Sequence, residues 1–107
     1  MDTVASQLKI INHFFELEKK LAHLPGAEST QRNLARIRDH FSEMGYQIHN
    51  PIGEPYSDTR TDCEASIAGT STDNLFVEQV IKPIVHLVQD GSLHMVQKGV
   101  VITKSRS

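Results

Sequence analysis

Six histidines and one cysteine are the side chains of this 107-residue chain that could bind a metal ion or act as nucleophiles. The histidines are His13, His23, His40, His49, His86 and His94. None of them has the HxH or HExxH spacing that brings two imidazoles onto one ion, and a single cysteine could join them. Surface or boundary positions are therefore the simpler interpretation, and the sequence predicts neither a metal site nor a cofactor.

Cys63 could act as a nucleophile beside a histidine, but its neighbours in the chain are acidic. Asp62 and Glu64 disfavour the negatively charged thiolate. Strand alternation places Cys63 on the same face as Ala65 and Ile67, which is typical of a buried position. The motifs GxGxxG, GxxxxGK[ST] and GxSxG do not occur in the sequence. We therefore predict no catalytic residues and no enzyme, and keep a small cysteine hydrolase only as a third hypothesis.

Charge and composition limit the classes of partner. The chain has 11 Lys and Arg against 13 Asp and Glu, a net charge of −2, and its basic residues are scattered. Nucleic-acid binding normally needs a basic patch, so no nucleic-acid partner is expected. The apolar runs fall far short of the ~20 residues that span a bilayer, and the first residues lack a signal-peptide pattern. One cysteine permits no intrachain disulfide, and we expect a cytoplasmic protein without membrane contact.

The first part of the chain has apolar residues at helical spacing. Residues 4–23 are predicted to form one helix with two adjoining apolar seams. The seams consist of Val4, Leu8, Ile11 and Phe15, and of Ile10, Phe14, Leu17, Leu21 and Leu24. Pro25 and Gly26 end this helix, and Ser29 or Thr30 could cap a second one.

The second predicted helix has a single narrow seam and ends at Gly45, a residue suited to positive φ. Its seam consists of Leu34, Ile37, Phe41 and Met44. A short connection makes the two helices antiparallel neighbours, and the second helix can cover only part of the first. The uncovered seam predicts a homodimer, because an exposed phenylalanine there would favour aggregation. The predicted dimer interface consists of Leu8, Ile11, Phe14, Phe15, Leu17 and Leu21.

From Tyr46 onward the pattern is typical of short strands separated by turns. Pro83 lies inside a mostly apolar stretch and marks an edge, a bulge or a break between two strands. Asp90 and Gly91 separate two apolar runs and indicate a β-hairpin. The other predicted strands are residues 46–49, 63–67 and 100–102.

These patterns together predict an α+β protein. Residues 1–45 are expected to form an antiparallel helical hairpin, which is half of a dimeric four-helix bundle. Residues 46–107 are expected to form a small, mainly antiparallel β domain that binds a partner. Because each half is thin for a chain of this size, an oligomer would help to complete the core.

Several local stretches follow one another in a recognisable order. They are residues 8–16, 41–46, 53–56, 64–65, 80–83 and 100–104, together with the hairpin at Gly91. In this order they resemble the GrpE-type nucleotide exchange factors, across residues 8–104. Ser92 stands where that family often has a basic residue, and we do not expect the long N-terminal helix of the family, because the sequence starts at the predicted bundle.

The resemblance implies a homodimeric co-chaperone that is not an enzyme. Its β domain would dock on the ATPase domain of a DnaK-type chaperone and promote release of ADP. The residues expected to contact this partner are Val80, Lys82, Pro83, Gly91, Ser92 and Ile102. Of these, Lys82, Pro83 and Ser92 are the preferred surface positions. The departures at Ser92 and at the N-terminus favour an alternative, a GrpE-shaped adaptor that binds another protein without exchange activity.

Overall fold

The computed structural model describes residues 3–106, so Met1, Asp2 and Ser107, which the predicted domain bounds include, lie outside the described residues. Within this range it contains two helices and two small, mostly antiparallel sheets, which confirms the predicted α+β class. The helices are α1, Thr3–Leu21, and α2, Glu28–Glu43. The strands are β1, Tyr46–His49; β2, Cys63–Ile67; β3, Leu75–Lys82; β4, Ile84–Gln89; β5, Ser92–Gln97; and β6, Gly99–Ser105.

The strands of the described range form two three-stranded sheets. The first sheet has the order β1-β4-β5 and is antiparallel. The second has the order β2-β6-β3, in which β2 runs parallel to β6 and β3 antiparallel to it. Pro83 lies between β3 and β4, where the chain passes from the second sheet to the first. Of the edge, the bulge and the break that the sequence left open at this residue, the structure shows the break between two strands, since proline has no N–H to give to a strand ladder.

Helix α1 is buried on two sides. Phe14 and Phe15 are consecutive, so their side chains leave the helix about 100° apart and need different neighbours. Phe14 enters a cluster with α2 and the first sheet, and Phe15 enters a cluster with the second sheet. The first cluster consists of Ile11, Phe14, Leu34, Phe41, Tyr46, Val85 and Leu87. The second cluster consists of Phe15, Cys63, Val77, Val80, Ile84 and Val101.

This packing corrects the reason given for a dimer. Ile11, Phe14 and Phe15 are only 0%, 6% and 2% exposed within the single chain. Helix α2 covers one side of α1, and the two sheets cover the side that the sequence left without a neighbour. These three side chains are therefore buried within the single chain, and no second copy is needed to cover them.

Helix α2 begins earlier than the sequence predicts. Ala27 occupies the N-cap position and makes no side-chain hydrogen bond to the helix, and Glu28 is the first helical residue. The predicted capping by Ser29 or Thr30 is therefore wrong. The carboxylate of Glu28 lies in the first turn, where the helix dipole favours negative charge.

Strand β2 is buried only at its start. Cys63 belongs to the second cluster, as the sequence predicts. Ala65 and Ile67 share its face of the strand but are exposed, so their predicted burial is wrong. The physical reason is that β2 is an edge strand of the second sheet, and no described element packs over its last residues.

Gly45 joins α2 to β1 under two constraints. Its φ is +96°, which confirms the predicted positive φ. Its carbonyl oxygen accepts a hydrogen bond from the Val88 N–H at 2.9 Å, so the turn is also tied to β4. A Cβ at this position would lie 3.1 Å from the carbonyl oxygen of Val88 and 3.3 Å from Cδ1 of Leu87. The position therefore requires both the backbone freedom and the small size of glycine.

Gly45→Ala is expected to lower the free energy of unfolding by about 2–3 kcal/mol, because the new methyl group adds a tight contact to the cost of positive φ. Gly26→Ala is the matched control, since its φ is +79° but nothing lies within 4 Å of a Cβ there. We expect the control to lose about 1 kcal/mol. Urea denaturation of both variants measures the difference, and equal losses would contradict a role for the close approach to Val88.

Candidate functional site

The β4–β5 hairpin ends in a tight turn that both conformation and sequence explain. Asp90 and Gly91 have φ of 52° and 77°. Two central residues with positive φ define the type I′ turn, whose twist matches that of the flanking strands. The hairpin predicted at these two residues is therefore confirmed. Gly91 and Ser92, two of the predicted partner contacts, are exposed at this turn.

One face of this hairpin keeps large apolar side chains in water. Val88 on β4 pairs directly with Leu93 on β5, and Met95 follows two residues later on the same face. These three side chains are 44%, 52% and 41% exposed. Leu87 alternates to the opposite face and is buried in the first cluster. We call Val88, Leu93 and Met95 the hairpin face, because neighbouring exposed apolar residues often mark a binding surface.

The structure does not bring the six predicted contact residues into one patch. Val80 and Pro83 are buried, which corrects the preference for Pro83 as a surface position. Val80 is covered because it belongs to the second cluster. Pro83 is enclosed between two strands, and its carbonyl oxygen accepts a hydrogen bond from Nε2 of Gln97 at 2.9 Å.

The remaining four predicted residues divide between the two sheets. Lys82 is exposed and Ile102 is half-buried, and both lie on the second sheet, where each pairs across the β3–β6 ladder. Gly91 and Ser92 lie at the end of the first sheet. Sequence alternation could not have excluded Val80, because Val77 and Val80 are three residues apart and simple alternation places them on opposite faces. The irregularity between Val77 and Gln79 shifts the register, and both side chains are buried in the second cluster.

A second exposed apolar surface lies on the helices. Ile10 and Leu17 lie on the side of α1 that is turned away from Phe15, and Ile37 and Met44 lie on the flank of α2. All four are exposed, and we call them the helix strip. In both helices the two members are seven residues apart, a spacing that keeps them on one face. The spacing alone does not separate them from the buried seam residues, because Leu34 and Phe41 are also seven residues apart and are buried.

The helix strip includes only part of the predicted dimer interface. Leu17 is exposed, as an interface residue must be. Leu8 and Leu21 are half-buried against the first cluster. The other three predicted interface residues, Ile11, Phe14 and Phe15, are buried within the single chain. Ile37 and Met44, which belong to the predicted seam of the second helix, are exposed.

A groove of about 770 Å³ separates the helices from the second sheet. Two positively charged side chains, Arg38 and Lys19, lie on its rim, and both already bind other groups of the chain. The Arg38 guanidinium contacts the Glu18 carboxylate at 2.6 Å and donates to the carbonyl oxygen of Ile48 at 3.1 Å. The Lys19 ammonium donates to the carbonyl oxygen of Val80 at 2.7 Å. Among the described residues that line the groove, both Lys19 and Arg38 are therefore already paired within the chain, and their contacts hold the helices to the strands.

Four charged or titratable side chains fix the long loop between β1 and β2. His49 Nε2 lies 2.6 Å from Glu54, which also accepts from Arg60 at 2.7 Å. Arg60 further donates to Asp62 at 2.6 Å. Burial raises the pKa of Glu54, but hydrogen bonds from Arg60 and His49 outweigh it, so the net pKa is lowered. The hydrogen bond from Arg60 likewise lowers the pKa of Asp62. Both carboxylates are thus structural anions.

Cys63 has the properties of a buried thiol. Burial raises its pKa, and the nearby charge of Asp62 raises it further. A raised pKa keeps the sulfur protonated near neutral pH, which opposes nucleophilic chemistry. The six histidines form no cluster with Cys, Asp or Glu that could hold a metal ion within residues 3–106.

Comparisons with protein-family models, with curated protein sequences and with solved structures find no match to this chain. Neither helix between Thr3 and Arg106 combines the length and the apolar character needed to cross a bilayer. The exposed surfaces of the chain itself are therefore the features that can indicate a function.

Arg60→Met is expected to lower the free energy of unfolding at neutral pH by about 1–2 kcal/mol, because Glu54 and Asp62 lose their shared donor. Both carboxylates are about one-third exposed, so water already screens part of the interaction. Since their folded-state pKa values are lowered, their contribution is complete above about pH 5 and is lost as the pH falls through those values.

Denaturation measured from pH 3 to pH 7 tests this expectation, and the wild type should lose more stability on acidification than Arg60→Met. Lys104→Met is the matched control, because Lys104 meets Glu78 only at 3.8 Å on the surface. It should cost less than about 0.5 kcal/mol. Parallel pH profiles for wild type and Arg60→Met would refute a stabilising role for the network.

Proposed function

We propose that this chain is a GrpE-like co-chaperone whose β domain binds the ATPase domain of a DnaK-type chaperone and promotes ADP release. The observation that supports a docking role is the hairpin face. Val88, Leu93 and Met95 lie together in water beside Gly91 and Ser92, which the resemblance assigns to partner contact. The fully buried core of a protein interface is more apolar than the rest of the surface, so a cluster of exposed apolar side chains suits the centre of a contact.

Exchange of nucleotide would follow from a difference in affinity. A factor that binds the open, ADP-free state of the ATPase domain more tightly than the closed state shifts the population toward the open state. By linkage, it lowers the affinity for ADP by the same ratio, typically about 5–150-fold. The chain needs no catalytic side chain for this activity, only a rigid surface that fits one state of the partner.

The helix pair supplies the support for that surface. The ring centroids of Phe14 and Phe41 lie 5.5 Å apart, and Glu18 contacts Arg38, so positions rise along α1 as they fall along α2. We take this as an antiparallel hairpin. On this proposal residues 1–45 hold the β domain, residues 46–107, in a homodimeric, cytoplasmic protein.

An adaptor without exchange activity is the second candidate. Ser92 offers a neutral hydroxyl at the turn where the family often carries a cation, and the predicted cation Lys82 lies on the other sheet. A surface without a positive charge beside its apolar face selects for a less acidic partner. On this reading the hairpin face still binds a protein, but binding leaves the nucleotide of that protein in place.

Release of a fluorescent ADP analogue from a DnaK-type ATPase domain tests the first candidate. The wild-type chain at micromolar concentration is expected to accelerate release, and Val88→Asp should reduce the acceleration at least about tenfold by placing a charge in the apolar contact. Ile67→Asp is the matched control, because Ile67 is equally exposed but lies at the edge of the second sheet.

If wild type binds the ATPase domain without accelerating release, the adaptor reading holds and exchange activity is excluded for that chaperone. If Ile67→Asp is as impaired as Val88→Asp, the hairpin face is not the contact surface. Calorimetric binding measurements with the same three proteins separate loss of binding from loss of exchange.

A further inference from the structure

Strand β5 is an edge of the first sheet, and the hairpin geometry identifies which of its backbone groups are unpaired. Gln89 and Ser92 close the two-residue turn and form a hydrogen-bonded pair. Bonded and non-bonded pairs alternate along an antiparallel ladder, so the next pair, Val88 and Leu93, is non-bonded. The Val88 N–H confirms this, because it donates to Gly45 on the far side, at 2.9 Å.

The same alternation leaves two residues of β5 facing the open edge. Leu93 lies opposite Val88, and Met95 lies opposite His86, which is the next non-bonded pair. Leu93 and Met95 therefore direct their N–H and C=O groups away from β4. Their side chains are the exposed members of the hairpin face, so this short segment presents backbone and apolar groups together.

The other sheet edges of the described chain are protected in ways that β5 is not. The loop before β2 covers β3, where the N–H of Gly53 donates to the carbonyl oxygen of Val77 at 2.8 Å. Arg38 caps β1 at Ile48. Strand β2 is short and carries Glu64. Strand β5 contains no proline, glycine or charged residue, which are the usual devices against strand pairing.

We propose that two copies of this chain pair through β5, antiparallel and about a two-fold axis at His94. Leu93 of one copy then lies opposite Met95 of the other, and these are the residues with unpaired backbone groups. Each of the two Leu93–Met95 pairs forms two backbone hydrogen bonds, and the two copies share one continuous six-stranded sheet.

The symmetry of β5 about His94 favours a second copy of this chain as the strand that pairs with its open edge. The residues with outward backbone groups lie one position before and one position after His94, so the register that satisfies one copy satisfies the other. The strand contains no Asp, Glu, Lys or Arg, so pairing does not place such side chains of like charge opposite each other. The exposed side chains of Leu93 and Met95 then cover each other across the axis. The helix strip has no polar feature that would select a second copy over any other apolar helix.

The interface is small, so we expect a weak dimer that depends on concentration. The pairing joins the two hairpin faces into one surface and leaves Val88 accessible. It does not rest on the proposed chaperone function, because the pairing is argued from the backbone groups of Leu93 and Met95 and not from binding of a partner to their side chains.

Cysteine crosslinking tests the register. His94→Cys places two sulfurs at a non-hydrogen-bonded pair, where the Cα atoms are about 4.5 Å apart and a disulfide can form. Ser92→Cys is the matched control, because residue 92 lies opposite residue 96 of the second copy. Cys63 is buried in both variants. Mild oxidation should yield a disulfide-linked dimer for His94→Cys and at least about tenfold less for Ser92→Cys. Equal yields, or no dimer with His94→Cys, would overturn the proposal.

Sedimentation equilibrium from about 10 µM to about 1 mM tests the surface. Leu93→Pro removes an outward N–H without breaking a bond to β4, and it should weaken dimerisation at least about tenfold. Met95→Lys, which places a charge at the edge, should do the same, so one misfolded variant does not decide the result. Leu17→Asp alters the helix strip and should leave the dimer unchanged. A monomeric wild type, or dissociation by Leu17→Asp alone, would overturn the proposal.

Discussion

The burial of two consecutive phenylalanines on two different sides of α1 is the interaction on which the rest of the fold depends. Phe14 contacts the ring of Phe41 and joins the cluster below the first sheet, while Phe15 joins the cluster below the second. Helix α1 therefore packs against both three-stranded sheets. Neither sheet has a wide apolar face of its own. Small sheets of this size need such a cover to be stable.

Charged groups complete this arrangement at its margins. Arg38 joins α1, α2 and β1 through Glu18 and the carbonyl oxygen of Ile48. Arg60 joins the start of the long loop to its end through Glu54 and Asp62. In both places a guanidinium holds several acceptors in a fixed geometry, which suits its planar set of donors. Clusters of charged side chains such as these often mark a binding site, but Arg38 and Arg60 already bind acceptors within the chain.

Two exposed apolar surfaces remain that could bind partners. The hairpin face and the helix strip lie on different parts of the fold and differ in kind. The first adjoins an unprotected strand edge and offers backbone groups as well as side chains. The second offers side chains alone. A co-chaperone or adaptor function would use the side chains on the face of the first sheet, whereas strand pairing would use mainly the backbone groups at its edge. Leu93 and Met95 belong to both surfaces, and Val88 belongs to the face alone.

Much of the local structure was determined by the sequence alone. The spacing of the apolar residues and the positions of glycine and proline predicted the two helices, the positive φ at Gly45, an irregularity at Pro83 and the turn at Asp90 and Gly91. Each of these features depends on residues close together in the chain. Only the tertiary structure decided what covers α1. The sequence showed a face too wide for α2, but burial depends on contacts distant in sequence, and the sheets supplied them.

The same distinction explains the candidate site. The exposed turn at Gly91 and Ser92 was predicted, since a tight turn between apolar runs projects from a sheet. The burial of Val80 and Pro83 and the exposure of Ile37 and Ile67 were not predicted. These exposures depend on the bulges in the strands and on how far a neighbouring helix extends over each residue. Local conformation follows from steric and hydrogen-bonding preferences along the chain, whereas exposure is decided by which elements meet in three dimensions.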